Sequence, residues 1–275
     1  MNIKNNFIEF KEGQQVWVIG DVHGCYGQFM EILSSPLIAE EDIVVLVGDI
    51  IDRGPDSAKM LNWAIENVNN DGKYLMIRGN HEQNIINDFR SLVEQRERKN
   101  KLKMYVGEEP IDYRSLPIYD LRCKYGFSEY MEKAGISNIG QAEKYILWME
   151  SLPLYLRVSL SGNKKFVIAH AWFEGELRAD GSIKQIIPDN DILWYRDSDY
   201  YHDLAETDYH PMEKGEFLIH GHTPVPIFRG HYGEPASPIF REHSVNIDGG
   251  CFLERDYGGR LIALCLNDLR TVYSS

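Results

Sequence analysis

The sequence has no long apolar run, no excess of positive charge and no paired cysteines. Nothing in its 275 residues approaches the ~20 consecutive apolar residues of a membrane-spanning helix. The stretch Met1 to Gly13 mixes Asn, Lys and Glu with single apolar residues, unlike the continuous apolar core of a signal peptide. Cys25, Cys123, Cys251 and Cys265 stand far apart with no Cys-x-x-Cys pair, which excludes short-spaced zinc and secreted disulfide frameworks. None has an arginine six residues later, so a cysteine-nucleophile phosphatase loop is absent. The Gly-x-Gly-x-x-Gly and Gly-x-x-x-x-Gly-Lys patterns are also missing, which removes dinucleotide-binding and P-loop readings. With 42 acidic against 29 basic residues the formal net charge is -13, and such a chain repels a phosphate backbone. The expectation is a folded cytoplasmic protein that partners neither nucleic acid nor membrane.

What is present is a set of short Val, Ile and Leu runs of strand length, at Val16–Ile19, 43–47, 74–77, 166–169, 217–219, 244–247 and 261–266. Between the first of them lie stretches with helical spacing. Met60, Leu61, Ala64, Ile65 and Val68 share one face after Pro55-Asp56-Ser57, and Ile85, Ile86, Phe89, Leu92 and Val93 share another. The front third therefore predicts alternating strands and helices, the pattern of an α/β sheet.

The chemistry is written at the strand ends. The first run leads into Gly20-Asp21-Val22-His23-Gly24, the second into Gly48-Asp49-Ile50-Ile51-Asp52-Arg53-Gly54, and the third into Gly79-Asn80-His81-Glu82. Later runs end at His170 and at His220-Gly221-His222-Thr223. The carboxyl ends of parallel strands share one edge of a sheet, so these side chains are expected to converge on one crevice. Carboxylate oxygen and imidazole nitrogen suit divalent ions such as Mn, Fe and Zn, and the set exceeds the four ligands of one structural zinc. Two metals are the economical reading; ions ~3.5–4 Å apart stabilise both oxygens of an in-line displacement at phosphorus. Arg53 offers the bidentate fork that a phosphate recognises.

These five motifs, intact and in order, resemble the metallo-dependent phosphatase family and, within it, the serine/threonine phosphoprotein phosphatase branch of bacterial or phage type. The resemblance runs from Val16 to about Leu266, closing with Ile247-Asp248-Gly249-Gly250 and Gly258-Gly259-Arg260-Leu261. It implies two mixed β-sheets packed as a sandwich, flanked by helices, with a dinuclear site at the strand ends. It also implies that Asp21, His23 and Asp49 hold one divalent ion, that Asp49, Asn80, His170 and His222 hold the other, and that Asp49 bridges them. Manganese is the expected metal, and iron, zinc or nickel also suit the ligands. By the same resemblance a hydroxide between the ions attacks phosphorus directly. His81 protonates the leaving oxygen with Asp52 orienting it, and Arg53 and Arg196 bind phosphate oxygens. His220 is expected to support the ligands from behind. His202, His210, His231 and His243 stand in polar stretches with no partner at ligand spacing and are expected to be exposed.

Nucleases and cyclic-nucleotide phosphodiesterases of the wider superfamily carry a second His two places after the last Gly-His, where this chain has Pro224. That favours phosphomonoesters, and a phosphorylated protein or a small phosphoester is the expected partner. The symmetrical diadenosine tetraphosphatases share the opening from Gly20 to Tyr26, but Asp52 and Glu82 depart from their pattern. A catalytically silent phosphate-binding module is the third reading, against which every carried-over ligand and Asp52 and His81 are present. The organisation expected is one domain over 1–275 with a helical and loop insertion at about 87–143, which follows the active-site helix and is expected to overhang the crevice.

Overall fold

A computed structural model describes the chain except at residues 1–5, 9–12, 70–71, 162–163, 174, 178–182, 186–188, 197–215, 230–232 and 254. The front third alternates as the sequence predicts: β1 (Phe7–Ile8), β2 (Val16–Ile19), α1 (Tyr26–Leu33), β3 (Ile43–Leu46), α2 (Ser57–Asn67), β4 (Tyr74–Met76) and α3 (Asn80–Tyr105). There follow α4 (Phe127–Lys133), α5 (Ile139–Ser151), β5 (Tyr155–Ser159), β6 (Lys165–Ala169), β7 (Gly175–Leu177), β8 (Ile183–Gln185) and α6 (Asp189–Trp194). The chain closes with β9 (Glu216–His220), α7 (Val225–Arg229), β10 (Ile239–Phe240), β11 (Ser244–Asn246), β12 (Ile262–Cys265) and β13 (Thr271–Tyr273).

Two mixed sheets carry the fold, ordered β13-β12-β2-β3-β4 and β1-β5-β6-β9-β11-β10, with β7 and β8 a separate pair. β2, β3 and β4 run parallel, with Val16 opposite Ile43 and Val44 opposite Tyr74, and β12 joins β2 antiparallel. In the second sheet β6, β9 and β11 are parallel while β5 pairs antiparallel with β6.

The two-residue period of a strand explains the layering. Val16 and Val18 of β2 and Val45 of β3 face the second sheet, packing in one cluster with Leu156, Phe166, Ile168, Ile219 and Val245. Trp17, Ile19, Val44 and Leu46 face the other way, into a cluster with Phe29, Met60, Leu61, Ile85, Ile86 and Phe89 from the helices. Both faces of these strands are covered, which is why they read as continuous apolar runs. Each fully buried side chain contributes about 1.5–3 kcal/mol. The result is the predicted sandwich flanked by helices.

Segment 87–143 begins inside α3, whose first turns bury Ile85, Ile86 and Phe89 and whose outer turns are charged and exposed. Beyond it, Leu116, Ile118, Leu121, Phe127 and Met131 join the helical-side cluster. β5 has no counterpart in the sequence reading because Arg157 interrupts its apolar pattern. That arginine is nevertheless buried, paired with Glu216 on β9. Among the described residues no helix is long and apolar enough to cross a membrane.

Candidate metal centre and active site

Nine of the ten site residues predicted from sequence lie just beyond the ends of five strands: Asp21 and His23 after β2, Asp49, Asp52 and Arg53 after β3, Asn80 and His81 after β4, His170 after β6, and His222 after β9. The loops turn back sharply there. His23, Asp49, Asp52, Arg53 and His222 have φ of 44, 48, 68, 65 and 71°, left-handed values that cost non-glycine residues about 1–3 kcal/mol each. Glycine is required where backbones close on the site. A Cβ on Gly79 would stand 2.2 Å from Asp49 Oδ1, and one on Gly221 2.0 Å from Asp21 Oδ1.

Asp49 is the hub. Its Oδ1 accepts the His81 backbone N–H at 2.8 Å, and its Oδ2 lies 3.4 Å from His170 Nε2, 3.7 Å from His23 Nε2 and 3.9 Å from His81 Nε2. Asn80 Oδ1 is 2.9 Å from both His170 Nε2 and His222 Nδ1. Both oxygens of Asp21 face the His222 backbone N–H, at 3.2 and 3.1 Å. His81 Nδ1 lies 2.7 Å from Asp52 Oδ2. Arg53 donates from Nη1 to His23 Nε2 at 2.9 Å and from Nη2 to His81 Nε2 at 3.1 Å, with its guanidinium 4.5 Å above the Phe252 ring. Arg196 is apart from this cluster; it is exposed, and its Nη1 donates to Thr223 Oγ1 at 3.3 Å, beside His222. His220 sets its Nδ1 3.3 Å from the Gly221 carbonyl and belongs to neither donor group. His243 is half-exposed, and His202, His210 and His231 lie outside the described residues.

The donor chemistry fits divalent ions. His23 Nδ1 and His170 Nδ1 each lie 2.9 Å from a backbone carbonyl, of Ile51 and Val47. A carbonyl only accepts, so these nitrogens carry the hydrogen and leave the inward-facing Nε2 as the ring atom that can bind a metal. Buried His222 Nε2 and Asp248 Oδ2 have no hydrogen-bond partner. Two groups of three donors, His23 with Asp49 and His81, and Asp49 with His170 and His222, share Asp49. The grouping thus brings His81, in place of the expected Asp21, beside His23.

Charge balance points the same way. Burial opposes charge on His170, but Asp49 and Asp21 outweigh it and hold the imidazole up at about 10. Burial would raise Asp49, yet His170, His81 and His23 hold it well below the carboxylate range. Burial pushes His23 down to about 3 and, with His170 adding to it, His222 down to about 2. Burial and the neighbouring Asp248 push Asp21 well up. Several carboxylates thus crowd a dry centre in which His170 is held charged while His23 and His222 resist protonation, a deficit that divalent cations offset.

Sequence reasoning missed several residues here. Glu82 accepts the backbone N–H of Asp49, Ile50 and Gly79 at 2.9, 3.0 and 2.9 Å, clamping two loops together; within the third motif it carried no sign of where its carboxylate goes. Asp248 is buried, with Oδ1 accepting from Gly250 N–H. Tyr125 lays its ring over His81, centroids 4.5 Å apart and planes tilted by 35°, and Tyr130 donates to Asp52 Oδ1 at 3.3 Å.

Residues 15–241 match the profile of the calcineurin-like phosphoesterases. The chain belongs to this family. Curated relatives include a protein named bis(5'-nucleosyl)-tetraphosphatase PrpE [asymmetrical] from Bacillus cereus, 27% identical over 93% of this chain and 92% of the relative. Its namesake from Bacillus mycoides is 28% identical, with the same coverage. A solved structure provisionally assigned as a diadenosine tetraphosphatase superposes with a TM-score of 0.51 at 16% identity, covering 98% of this chain and 96% of that one, which is a likeness of fold. Calcineurin-like phosphoesterases hydrolyse phosphoesters, and the donor set around Asp49 is the candidate dinuclear metal centre of this one.

Proposed function

We propose that this chain is a metal-dependent phosphomonoester hydrolase that releases phosphate from phosphoserine and phosphothreonine, within one domain whose 87–143 segment overhangs the site. Asp21, His23 and Asp49 would hold one ion and Asp49, Asn80, His170 and His222 the other, with manganese the first metal to try. Bound divalent ions supply Lewis-acid charge that eases deprotonation of water and offsets charge on phosphoryl oxygens. Arg53, the exposed edge of the cluster, grips the non-bridging oxygens bidentately and on doing so leaves His23 and His81. Arg196 approaches the same phosphate from the side of Thr223. His81 gives the proton on Nε2 to the departing oxygen, while Asp52 holds the Nδ1–H and orients the ring.

The observation that carries this reading is the 2.7 Å contact between Asp52 and His81. A serine or threonine alkoxide is a strong base that leaves only when protonated, so a dedicated acid is what an alcohol phosphoester demands. A second reading, dinucleoside tetraphosphate hydrolysis, is favoured by the names of the relatives that match over 93% of the chain. Its leaving group is a phosphate, which departs with little need of an acid.

The test is phosphate release by metal-stripped protein reloaded with manganese, assayed on a phosphoserine/phosphothreonine peptide and on diadenosine tetraphosphate, with His81→Asn alongside. Peptide turnover that drops by about 10²-fold or more in the variant, at unchanged metal content, is the expected result. Preferential cleavage of the dinucleotide, unaffected by the variant, would establish the second reading. Loss of one ion per chain in His81→Asn would make His81 a ligand instead of the acid.

A further inference from the structure

The contact between His81 and Asp52 has a third member, supplied by a different part of the chain. Gly126, at φ +85°, turns the backbone between Tyr125 and α4, so that two tyrosines approach the site from one side. Tyr130 lies on α4 with its ring edge-on to Phe127, centroids 5.4 Å apart, and its hydroxyl donates to Asp52 Oδ1 at 3.3 Å. Asp52 Oδ2 faces His81 Nδ1 at 2.7 Å, so each carboxylate oxygen has one partner. Burial, with Asp52 adding to it, pushes the Tyr130 phenol well above its ordinary value; the group stays protonated. Tyr125 covers one face of the imidazole.

We propose that Tyr130 is a positioning residue for the hydrolysis: its hydroxyl fixes the Asp52 carboxylate, and through it the His81 ring, with Nε2 aimed at the departing oxygen. The inference rests on the reading of His81 as proton donor. As the bond from phosphorus to the ester oxygen breaks, that oxygen keeps the bonding pair and takes the His81 Nε2 proton. The oxygen of water forms the new bond to phosphorus, and its surplus proton passes to solvent. Tyr130 exchanges no proton. It restricts the orientations of Asp52, and its effect should scale with how much the departing oxygen needs protonation.

That scaling supplies the test. Phenyl phosphate and p-nitrophenyl phosphate place the same ring at the site, but the nitrophenolate is a far weaker base and leaves without help. Tyr130→Phe keeps the ring that packs on Phe127 and removes only the hydroxyl. The expected result is a kcat on phenyl phosphate lower by about tenfold, a part of the 10²–10⁴-fold that general acid catalysis supplies, with KM unchanged and kcat on p-nitrophenyl phosphate altered less than about twofold. Equal losses on both esters would mark a merely structural tyrosine and overturn the proposal, as would no loss on phenyl phosphate. His81→Asn measured in parallel separates the two claims. If it discriminates between the esters and Tyr130→Phe does not, the positioning role alone falls. If it lowers both equally, or if the unaltered protein turns over neither ester, the proton-donor reading fails and takes this inference with it.

Discussion

Glu82 illustrates how one side chain can hold a catalytic edge in shape. Its two oxygens receive three backbone N–H groups from the loops after β3 and β4. Burial and Asp49 push it up to about 7 against the pull of those donors. Glu82→Gln keeps the size but presents an amide N–H₂ to at least one N–H, leaving that donor buried and unpaired at a cost of about 1–3 kcal/mol. The urea midpoint should fall accordingly, and metal affinity with it. His170 gives a pH signature. Its ordinary value of 6.5 is raised to about 10 by Asp49 despite burial, so in chelator-treated protein its stabilising contribution is complete below about pH 6.5 and is lost as pH climbs through 10. Melting temperature of the metal-free protein should therefore decline between pH 7 and 10, with a shallower slope in His170→Asn. An unchanged slope would show that this histidine does not carry the effect. At this scale the ligand types were legible from sequence because they stand in short motifs. Glu82, Tyr125 and Tyr130 were not, since hydrogen bonds and ring contacts across about 30 to 80 positions leave no local pattern.

The elements divide by how much of their pattern is local. β2, β3, β4 and the helices between them are legible, because strands buried on both faces read as apolar runs and helices buried on one face repeat every three to four residues. β5 is not legible, because its buried Arg157 is neutralised by Glu216 from a strand some 60 positions later. The 116–131 segment reads as irregular because its core residues sit on short helical turns; yet Leu116, Ile118, Leu121 and Phe127 are all buried in the helical-side core. Deleting it would open that core, so whether it bears on substrate choice is better probed by exposed side chains such as Lys124, whose ammonium lies 5.0 Å from the Tyr125 ring. Phe127→Ala should cost about 3–5 kcal/mol by the usual scale for a fully buried aromatic, read from denaturant midpoints. A cost below 1 kcal/mol would mean that α4 is not packed as described.

For the molecule as a whole, the two sheets meet at the site: Val47 at the end of β3 accepts the ring N–H of His170 from beyond β6. Ions held there by residues of both sheets would stabilise the folded state by an amount that grows with the logarithm of their excess over the dissociation constant, about 2.7 kcal/mol at a hundredfold excess. Chelation should lower the melting temperature, and titrating manganese back should raise it without a plateau until the metal precipitates. A melting temperature indifferent to manganese would argue that the centre does not hold it. The interleaved order of the strands also bears on how the protein is made. Apart from β1, the strands that cover the inner face of β2 and β3 begin at Tyr155, and the free edge of β2 is closed by Ile262–Cys265. A ribosome that has released only the first half of the chain therefore presents a three-stranded parallel layer with one greasy side and an open edge. Such a nascent layer would be prone to aggregation, and an ion held as proposed by Asp49, His170 and His222 could not be gripped until His222 had emerged, so translation order would postpone its loading until late in synthesis.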